Sequence, residues 1–341
     1  MGPLYGLKIV EFEGIGPGPL AGMMLAQLGA DVTAVRRSKP LAVKATLGGN
    51  RPDPIDARKH GVPIDLKTPE GVAQALELVD RADALIEGNR PGVMERLGLG
   101  PEVCLARNPW LVYGRMTGWG QDGPLAAAAG HDLNYVALTG LLSLSRRAGS
   151  EPIVPPTVVG DAGGALGLAF GIVCGVLEAR SSGRGQVVDA AIVDIVAMLG
   201  ALVHFAHAGG QLGGPRPSPF HDSPFYDVYR CADGKSITVC ALEPRFYALL
   251  LDKLGLSDID AREQYDVARW PALKARFTRL FASRTRAEWC ALLEGTDVCF
   301  APVLDLEEAA QHPHLRARGT LEVVDGTFVA APAPRFSRSR P

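Results

Sequence analysis

The sequence of 341 residues lacks most of the short motifs by which enzymes are commonly identified. It has no Gly-x-Ser-x-Gly elbow, no Walker lysine loop and no zinc-protease helix. Among its six cysteines, no two lie closer than the nine positions that separate Cys231 from Cys240. Zinc knuckles and dithiol motifs are therefore excluded. We expect core thiols in a reducing, cytoplasmic compartment.

Excess charge and a membrane-length apolar run are also missing. Lys and Arg number 35 against 37 Asp and Glu, so there is no basic excess to neutralise nucleic-acid phosphates. The longest uncharged apolar run, residues 162–177, carries five glycines and is shorter than the roughly 18 residues that indicate a span. Residues 1–11 do not resemble a signal peptide. We predict no nucleic-acid partner, no membrane and a cytoplasmic location.

Ample apolar material is present instead, because hydrophobic residues make up 47% of the chain and charged residues 21%. The length favours about two domains. Strand-like runs alternate with helical patterns, which predicts an α/β fold with a doubly wound, Rossmann-like parallel sheet. The predicted strands are residues 7–12, 31–35, 84–87, 111–118 and 186–191.

A Gly- and Pro-rich stretch, GGQLGGPRPSP, separates this pattern from a second one. Beyond it, Asp233-Gly234 predicts a hairpin, and amphipathic helices follow near Pro244, Pro271 and Thr285. We predict a large Rossmann-like, CoA-binding domain and a smaller α+β domain. Their limits are residues 1–200 for the large domain, completed by 310–341; 201–220 for a linker; 221–300 for the small domain; and 301–341 for a return linker and C-terminal segment.

The first strand is followed by GPGPLA at residues 16–21, which fits G-x-G-x-x-A at the position of a dinucleotide-binding turn. Pro17 and Pro19 have no N–H group to donate to a pyrophosphate. Arg36 and Arg37 stand where an NAD site carries an acid. The arginines fit a phosphomonoester, as in NADP or the 3′-phosphate of coenzyme A, or else a solvated face.

Further cations lie near the predicted carboxyl ends of strands, where ligands of open α/β sheets bind. They suit a multiply phosphorylated ligand, although each alone is also compatible with a solvated surface. These residues are Arg58, Lys59, Lys67, Arg90 and Arg96.

Three side chains begin predicted helices: His131, Asp161 and Glu243. Helix capping is an alternative role for the two carboxylates, and spacing alone does not make the three a site. The pairs His204-x-x-His207 and His312-x-His314 lack a third ligand, so no metal site is predicted.

Taken together, collinear motifs along nearly the whole chain resemble the α-methylacyl-CoA racemases of the family III CoA-transferase (CaiB/BaiF) superfamily. The motifs are GIGPGP at 14–19, IEGNRPG at 86–92, RMTGWGQ at 115–121, GHDLNY at 130–135, Gly160-Asp161, GRGQV at 183–187, PFYD at 224–227, Glu243-Pro244 and APRF at 333–336.

This resemblance implies a racemase of lipid metabolism that interconverts (2R)- and (2S)-2-methylacyl-CoA through an enolate. It implies catalytic roles for His131 and Asp161, supported by Glu243 from the other chain of an interlocked homodimer. No metal and no cofactor are implied, because coenzyme A is part of the acyl-CoA thioester substrate. The resemblance also implies which residues contact coenzyme A. They are Ile15, Arg37, Ile64, Asp65, Leu66, Lys67, Gly88, Asn89, Arg90, Arg96, Gly130, Asp132, Leu133, Asn134 and Tyr135.

Two other functions remain open. In a family III CoA transferase, the Asp161 carboxylate would attack the thioester and His131 would not be required. A non-catalytic CoA-binding regulator would bind acyl-CoA without exchanging its α-proton. The chain departs from the family pattern at residues 215–223, where the usual Arg-Gly-x-Asn segment is replaced, and at Thr157-Val158. The acyl group accepted is therefore predicted to be unusual.

Overall fold

The computed structural model describes residues 1–37, 53–147 and 149–339. The chain divides into two compact units. Unit 1 comprises Met1–Ser143, Ile153–Gly200 and Ala330–Pro341, and unit 2 comprises Leu144–Pro152 and Ala201–Val329. The domain limits given above stay a prediction.

Unit 1 is built on a six-stranded parallel sheet of order β3-β2-β1-β4-β5-β6. Its strands are β1 (Lys8–Phe12), β2 (Asp31–Arg36), β3 (His60–Pro63), β4 (Ala84–Glu87), β5 (Val112–Thr117) and β6 (Gln186–Ala191). Successive side chains of a strand pack on opposite faces of the sheet: Ile9 belongs to one apolar cluster and Val10 to another. Both faces of the sheet are therefore covered, as parallel sheets require.

Helices cover these faces. They are α1 (Pro17–Gln27), α2 (Pro69–Val79), α3 (Val93–Arg96), α4 (Pro101–Arg107), α5 (Asp132–Leu138), α6 (Asp161–Ser182) and α7 (Ile192–Leu199). Proline occupies the first turn of α1, α2 and α4, where a missing N–H group costs nothing. The doubly wound α/β class predicted from the sequence is confirmed.

Helix α6 packs closely because of its glycines. A Cβ atom on Gly164 would lie 2.8 Å from Ile192, and one on Gly175 would lie 2.8 Å from Val112. Within the described residues, α6 is the one helix long and apolar enough to cross a membrane by length and composition. Of an 18-residue apolar stretch within it, 44% is buried. The absence of a membrane stays a prediction.

Unit 2 contains an antiparallel sheet of order β7-β8-β9, with β7 (Tyr226–Arg230), β8 (Ser236–Cys240) and β9 (Phe300–Pro302). Its helices are α8 (Ala201–Ala208), α9 (Pro244–Lys253), α10 (Trp270–Phe281), α11 (Arg286–Leu293), α12 (Leu306–Gln311) and α13 (Pro313–Arg318). A hairpin of β10 (Leu321–Val324) and β11 (Thr327–Ala330) and the 3-10 turns Leu141–Leu144 and Ala261–Glu263 complete the described elements. The first part of the predicted linker is thus helical, and the short strand β9 was missed because three residues show no periodicity.

Candidate active site

The strand order of unit 1 reverses between β1 and β4, so the loops that follow these strands diverge at the carboxyl edge of the sheet. In open α/β sheets this point forms the ligand crevice. The candidate site comprises those two loops together with the starts of helices α5 and α6.

The starts of α5 and α6 are joined by a buried carboxylate. Asp132 Oδ2 accepts a hydrogen bond of 2.7 Å from the backbone N–H group of Asp161. Asp132 is only 7% exposed. Gly160 permits this approach, since a Cβ atom there would lie 2.6 Å from Asp132 Oδ2. The backbone next to His131 is therefore fixed relative to that of Asp161.

His131 and Asp161 come together at this junction. His131 precedes α5, is exposed, and its backbone N–H group donates a 3.1 Å hydrogen bond to Asn134 Oδ1. The His131 side chain is close enough to Asp161 for their charges to interact. Asp161 occupies the first position of α6 with Gly160 as N-cap, so its carboxylate does not have the capping role considered above.

The Asp161 carboxyl has a raised pKa. Burial is the largest cause, the negative charge of Asp132 raises the pKa further, and His131 acts in the opposite direction. The neutral acid is therefore populated at higher pH than for a free aspartate. A carboxyl whose neutral form is favoured in this way can both donate and accept a proton.

The turn after β1 contacts the same carboxylate. Gly16 has φ +71°, which is left-handed, and a Cβ atom on it would lie 3.3 Å from Asp161 Oδ2. The G-x-G-x-x-A turn thus lies against Asp161. Ile15 beside it is exposed.

Tyr135 forms a wall of the site. Its hydroxyl group donates to the carbonyl oxygen of Gly130, and its ring meets Trp119 edge-on at 4.7 Å between centroids. A Cβ atom on Gly118 would overlap the Tyr135 ring. Tyr135 interacts electrostatically with Asp161 and Arg90. Sequence reasoning missed the contributions of Gly118 and Trp119, although both stand in the RMTGWGQ motif.

The loop after β4 is held by a buried ionic network that sequence reasoning also missed. Glu87 is fully buried, and its carboxylate accepts bonds from the backbone N–H group of Asn89 at 2.7 Å and from Arg115 Nε at 3.1 Å. Arg115 also binds Glu95 at 2.8 Å. Burial raises the pKa of Glu87, while Asn89 and Arg115 oppose that rise. The signal available was a charged residue in each of two apolar strands, Glu87 at the end of β4 and Arg115 inside β5.

Among the cations predicted to bind phosphates, Arg37, Arg90 and Arg96 are exposed. The backbone N–H group of Arg37 donates to Glu13 at 3.0 Å. The interpretation of Lys59 as a ligand cation is wrong. Its Nζ is fully buried and binds Glu11 and the Pro19 carbonyl oxygen, each at 2.8 Å.

The segment predicted to contact coenzyme A after β3 has mixed exposure. The Ile64 side chain is buried in the core, whereas Asp65 and Lys67 are exposed and Leu66 is half-buried. Asp65 Oδ1 accepts the backbone N–H group of Lys67 at 3.0 Å, which fixes this turn. The other predicted contact residues in the two site loops and at the start of α5 are exposed or half-buried, namely Gly88, Asn89, Gly130, Leu133 and Asn134.

Comparison with known proteins identifies the family. The model of CoA-transferase family III matches residues 4–340. The chain belongs to CoA-transferase family III. It is 41% identical to the alpha-methylacyl-CoA racemase of Mus musculus, over 99% of this chain and 87% of that protein, and 39% identical to that of Homo sapiens, over 97% and 86%. A CaiB/BaiF family protein from Brucella suis superposes with a TM-score of 0.84 at 26% identity, over 99% of this chain and 94% of that one. The predicted resemblance is confirmed.

In this family III chain the third predicted catalytic residue, Glu243, lies in unit 2. It precedes α9 and is exposed, and its side chain makes no capping hydrogen bond. The histidine pairs lie in unit 2 as well. His207 Nδ1 is 2.7 Å from the Leu212 carbonyl oxygen, and His312 binds Glu294 at 2.8 Å. In the described part of the chain, no group of three or more acidic, Cys or His side chains could hold a metal ion.

Proposed function

We propose that this protein interconverts the (2R) and (2S) forms of 2-methylacyl-CoA thioesters by removing the α-proton and returning one to the opposite face. The observation that carries the proposal is the junction of His131 with an Asp161 carboxyl of raised pKa at the switch point of the sheet. The mouse and human relatives named alpha-methylacyl-CoA racemase support it.

The proposed reaction needs an acid and a base on opposite faces of the α-carbon, because that carbon inverts. One of the two residues, His131 or Asp161, removes the α-proton, and the other donates a proton to the opposite face. The reverse reaction uses the two residues in exchanged roles and restores their protonation states. The enolate oxygen also needs hydrogen-bond donors. The first N–H groups of a helix lack acceptors within it, and those of α5 start directly after His131. No cofactor beyond the coenzyme A of the substrate takes part.

The test is incubation of the full chain with a panel of 2-methylacyl-CoA esters in D2O, with mass spectrometry of the α-carbon. We expect deuterium to enter each enantiomer of an accepted ester. A second candidate, CoA transfer through an Asp161 mixed anhydride, is favoured by the family's name. Acceptor-dependent transfer without exchange would support that candidate, and binding without either reaction would support a regulator.

Exposed arginines should hold the phosphates of coenzyme A in this proposal. We expect Arg37→Ala and Arg90→Ala each to raise KM about tenfold or more with little change in kcat, because phosphate contacts of roughly 1.5 to 3 kcal/mol are made equally in the ground and transition states. Steady-state kinetics measures this. Arg81→Ala is the matched control, since exposed Arg81 lies before β4, at the opposite edge of the sheet. An unchanged KM in both variants would identify the two arginines as solvated surface residues.

We further propose an interlocked homodimer in which Glu243 of one chain supports His131 of the other. Glu243 is exposed, and so are large apolar side chains of α6 and α8, namely Leu166, Phe170, Leu177, Leu202 and Phe205. Clusters of exposed apolar side chains are typical of protein interfaces. Sedimentation at assay concentration should give a dimer. A fully active monomer would contradict this arrangement.

A further inference from the structure

Two cysteines of unit 2, Cys240 at the end of β8 and Cys299 just before β9, lie next to each other on an antiparallel strand pair. Val239 on β8 pairs with Phe300 on β9, so the next pair in this register is Cys240 with Cys299. The backbone N–H group of Cys240 donates to the Cys299 carbonyl oxygen at 2.9 Å. Directly opposite residues of an antiparallel pair have Cα atoms about 4.5 to 5.5 Å apart, and Cys299, which precedes β9, extends the register through this hydrogen bond. This separation lies within the range of about 4.4 to 6.8 Å found in disulfides.

The surroundings of the two thiols support their proximity. Burial is the main cause of the raised pKa of Cys240, and the next cause is the charge of Cys299. Both residues are half-buried and both are free thiols. Cys299 has φ +55°, in the left-handed region that non-glycine residues seldom adopt. Backbone strain of this kind concentrates at functional positions.

The other cysteines lack this arrangement. Cys104 is fully buried, and Cys174 is exposed on α6 of unit 1. Cys231 interacts electrostatically with Cys290, but Cys290 lies on helix α11 and is not paired with it across a sheet. Cys240 and Cys299 are therefore the pair of cysteines whose backbones are joined by a hydrogen bond.

We propose that Cys240 and Cys299 form a reversible disulfide when the protein meets a peroxide, which makes this strand pair an oxidative modification site. One thiolate attacks the peroxide, forms a sulfenic acid and releases water. The second thiol then attacks that sulfur and releases a second water, so two S–H bonds become one S–S bond and the peroxide is reduced. Burial and the charges of Glu243 and Asp297 raise the pKa of Cys299 despite the nearby cation of Arg245, so neither sulfur is assigned as the first to react.

The disulfide would form beside the predicted catalytic carboxylate. The largest charge interaction of Cys299 is with Glu243. A disulfide between β8 and the residue before β9 would restrict the backbone near Glu243. We therefore expect oxidation to lower the α-proton exchange rate reversibly. This effect on activity rests on the proposed function, whereas formation of the disulfide does not.

The experiment oxidises the full chain with hydrogen peroxide, alkylates the remaining thiols, and maps peptides by mass spectrometry without reductant. We expect a peptide pair joined through Cys240 and Cys299, which dithiothreitol separates with recovery of exchange. The rate should rise with pH, because the pKa of each thiol is raised.

The controls are Cys240→Ser and Cys299→Ser, which should lose the linked peptide, and Cys174→Ser, which should retain it. If both thiols of the wild-type protein are instead recovered alkylated, or Cys299 is oxidised without Cys240, the disulfide proposal is overturned. If the linked peptide forms but the α-proton exchange rate is unchanged, only the proposed effect of the disulfide on activity through Glu243 is overturned. A wild-type protein that never exchanges would count against the proposed function alone.

Discussion

Replacement of His131 or of Asp161 by Ala should abolish racemisation in both directions. A two-base racemase needs one residue to remove the proton and the other to return it on the opposite face, so the loss of either interrupts the full cycle. Partial reactions should survive. His131→Ala should retain slow exchange from the one enantiomer whose α-proton faces Asp161, and Asp161→Ala should show the opposite preference.

Deuterium incorporation from D2O into each pure enantiomer measures this division of labour. Exchange of both enantiomers at the wild-type rate in both variants would show that neither residue is a base. A CoA transferase predicts another pattern, in which Asp161→Ala is inactive in acyl transfer and His131→Ala is nearly normal.

The Asp161→Asn variant provides a control for folding. The native pKa of Asp161 is raised by burial and by Asp132, so the folded protein holds this proton more tightly than the unfolded chain does. The contribution of Asp161 to stability is therefore fully present below its unfolded pKa and is lost as pH rises through its folded pKa. At neutral pH, Asp161→Asn should raise the Tm while removing activity. A lowered Tm would contradict this account of the site's electrostatics.

Substitution of Asp132 should affect catalysis through Asp161. Asp132→Ala leaves the Asp161 N–H group without its acceptor, at a cost of about 1 to 3 kcal/mol. Carried into the catalytic geometry, this cost corresponds to a loss in kcat of roughly five- to 150-fold. Asp132→Asn keeps an acceptor oxygen and removes the charge that raises the Asp161 pKa. It should retain most of the activity.

The pH profile of kcat/KM distinguishes this role from a structural one. In the direction that uses Asp161 as base, the acidic limb reports its pKa, so Asp132→Asn should move that limb to lower pH. The resemblance placed Asp132 among the residues that contact coenzyme A. If Asp132→Ala raised KM alone and the Asn variant left the profile unchanged, that placement would be favoured over a positioning role.

The sequence by itself determined the doubly wound sheet and the starts of helices α5 and α6. The predicted strands at residues 84–87 and 186–191 have the bounds found in the structure, because Asp83 and Gly88 flank the first and Gly185 precedes the second. Helix α6 begins at Asp161 as predicted. These features depend on local propensity and on burial, which the order of residues encodes directly.

Only the tertiary structure decided which polar groups meet. Lys59 had the same appearance in the sequence as Arg90, yet it is buried against Glu11, 48 positions away, whereas Arg90 is exposed. Likewise, the hydrogen bond between Asp132 and Asp161 joins residues 29 positions apart. A charged side chain gains little from its immediate neighbours in the sequence, and its partner is set by the parallel strands and glycine turns that bring distant loops to one edge of the sheet.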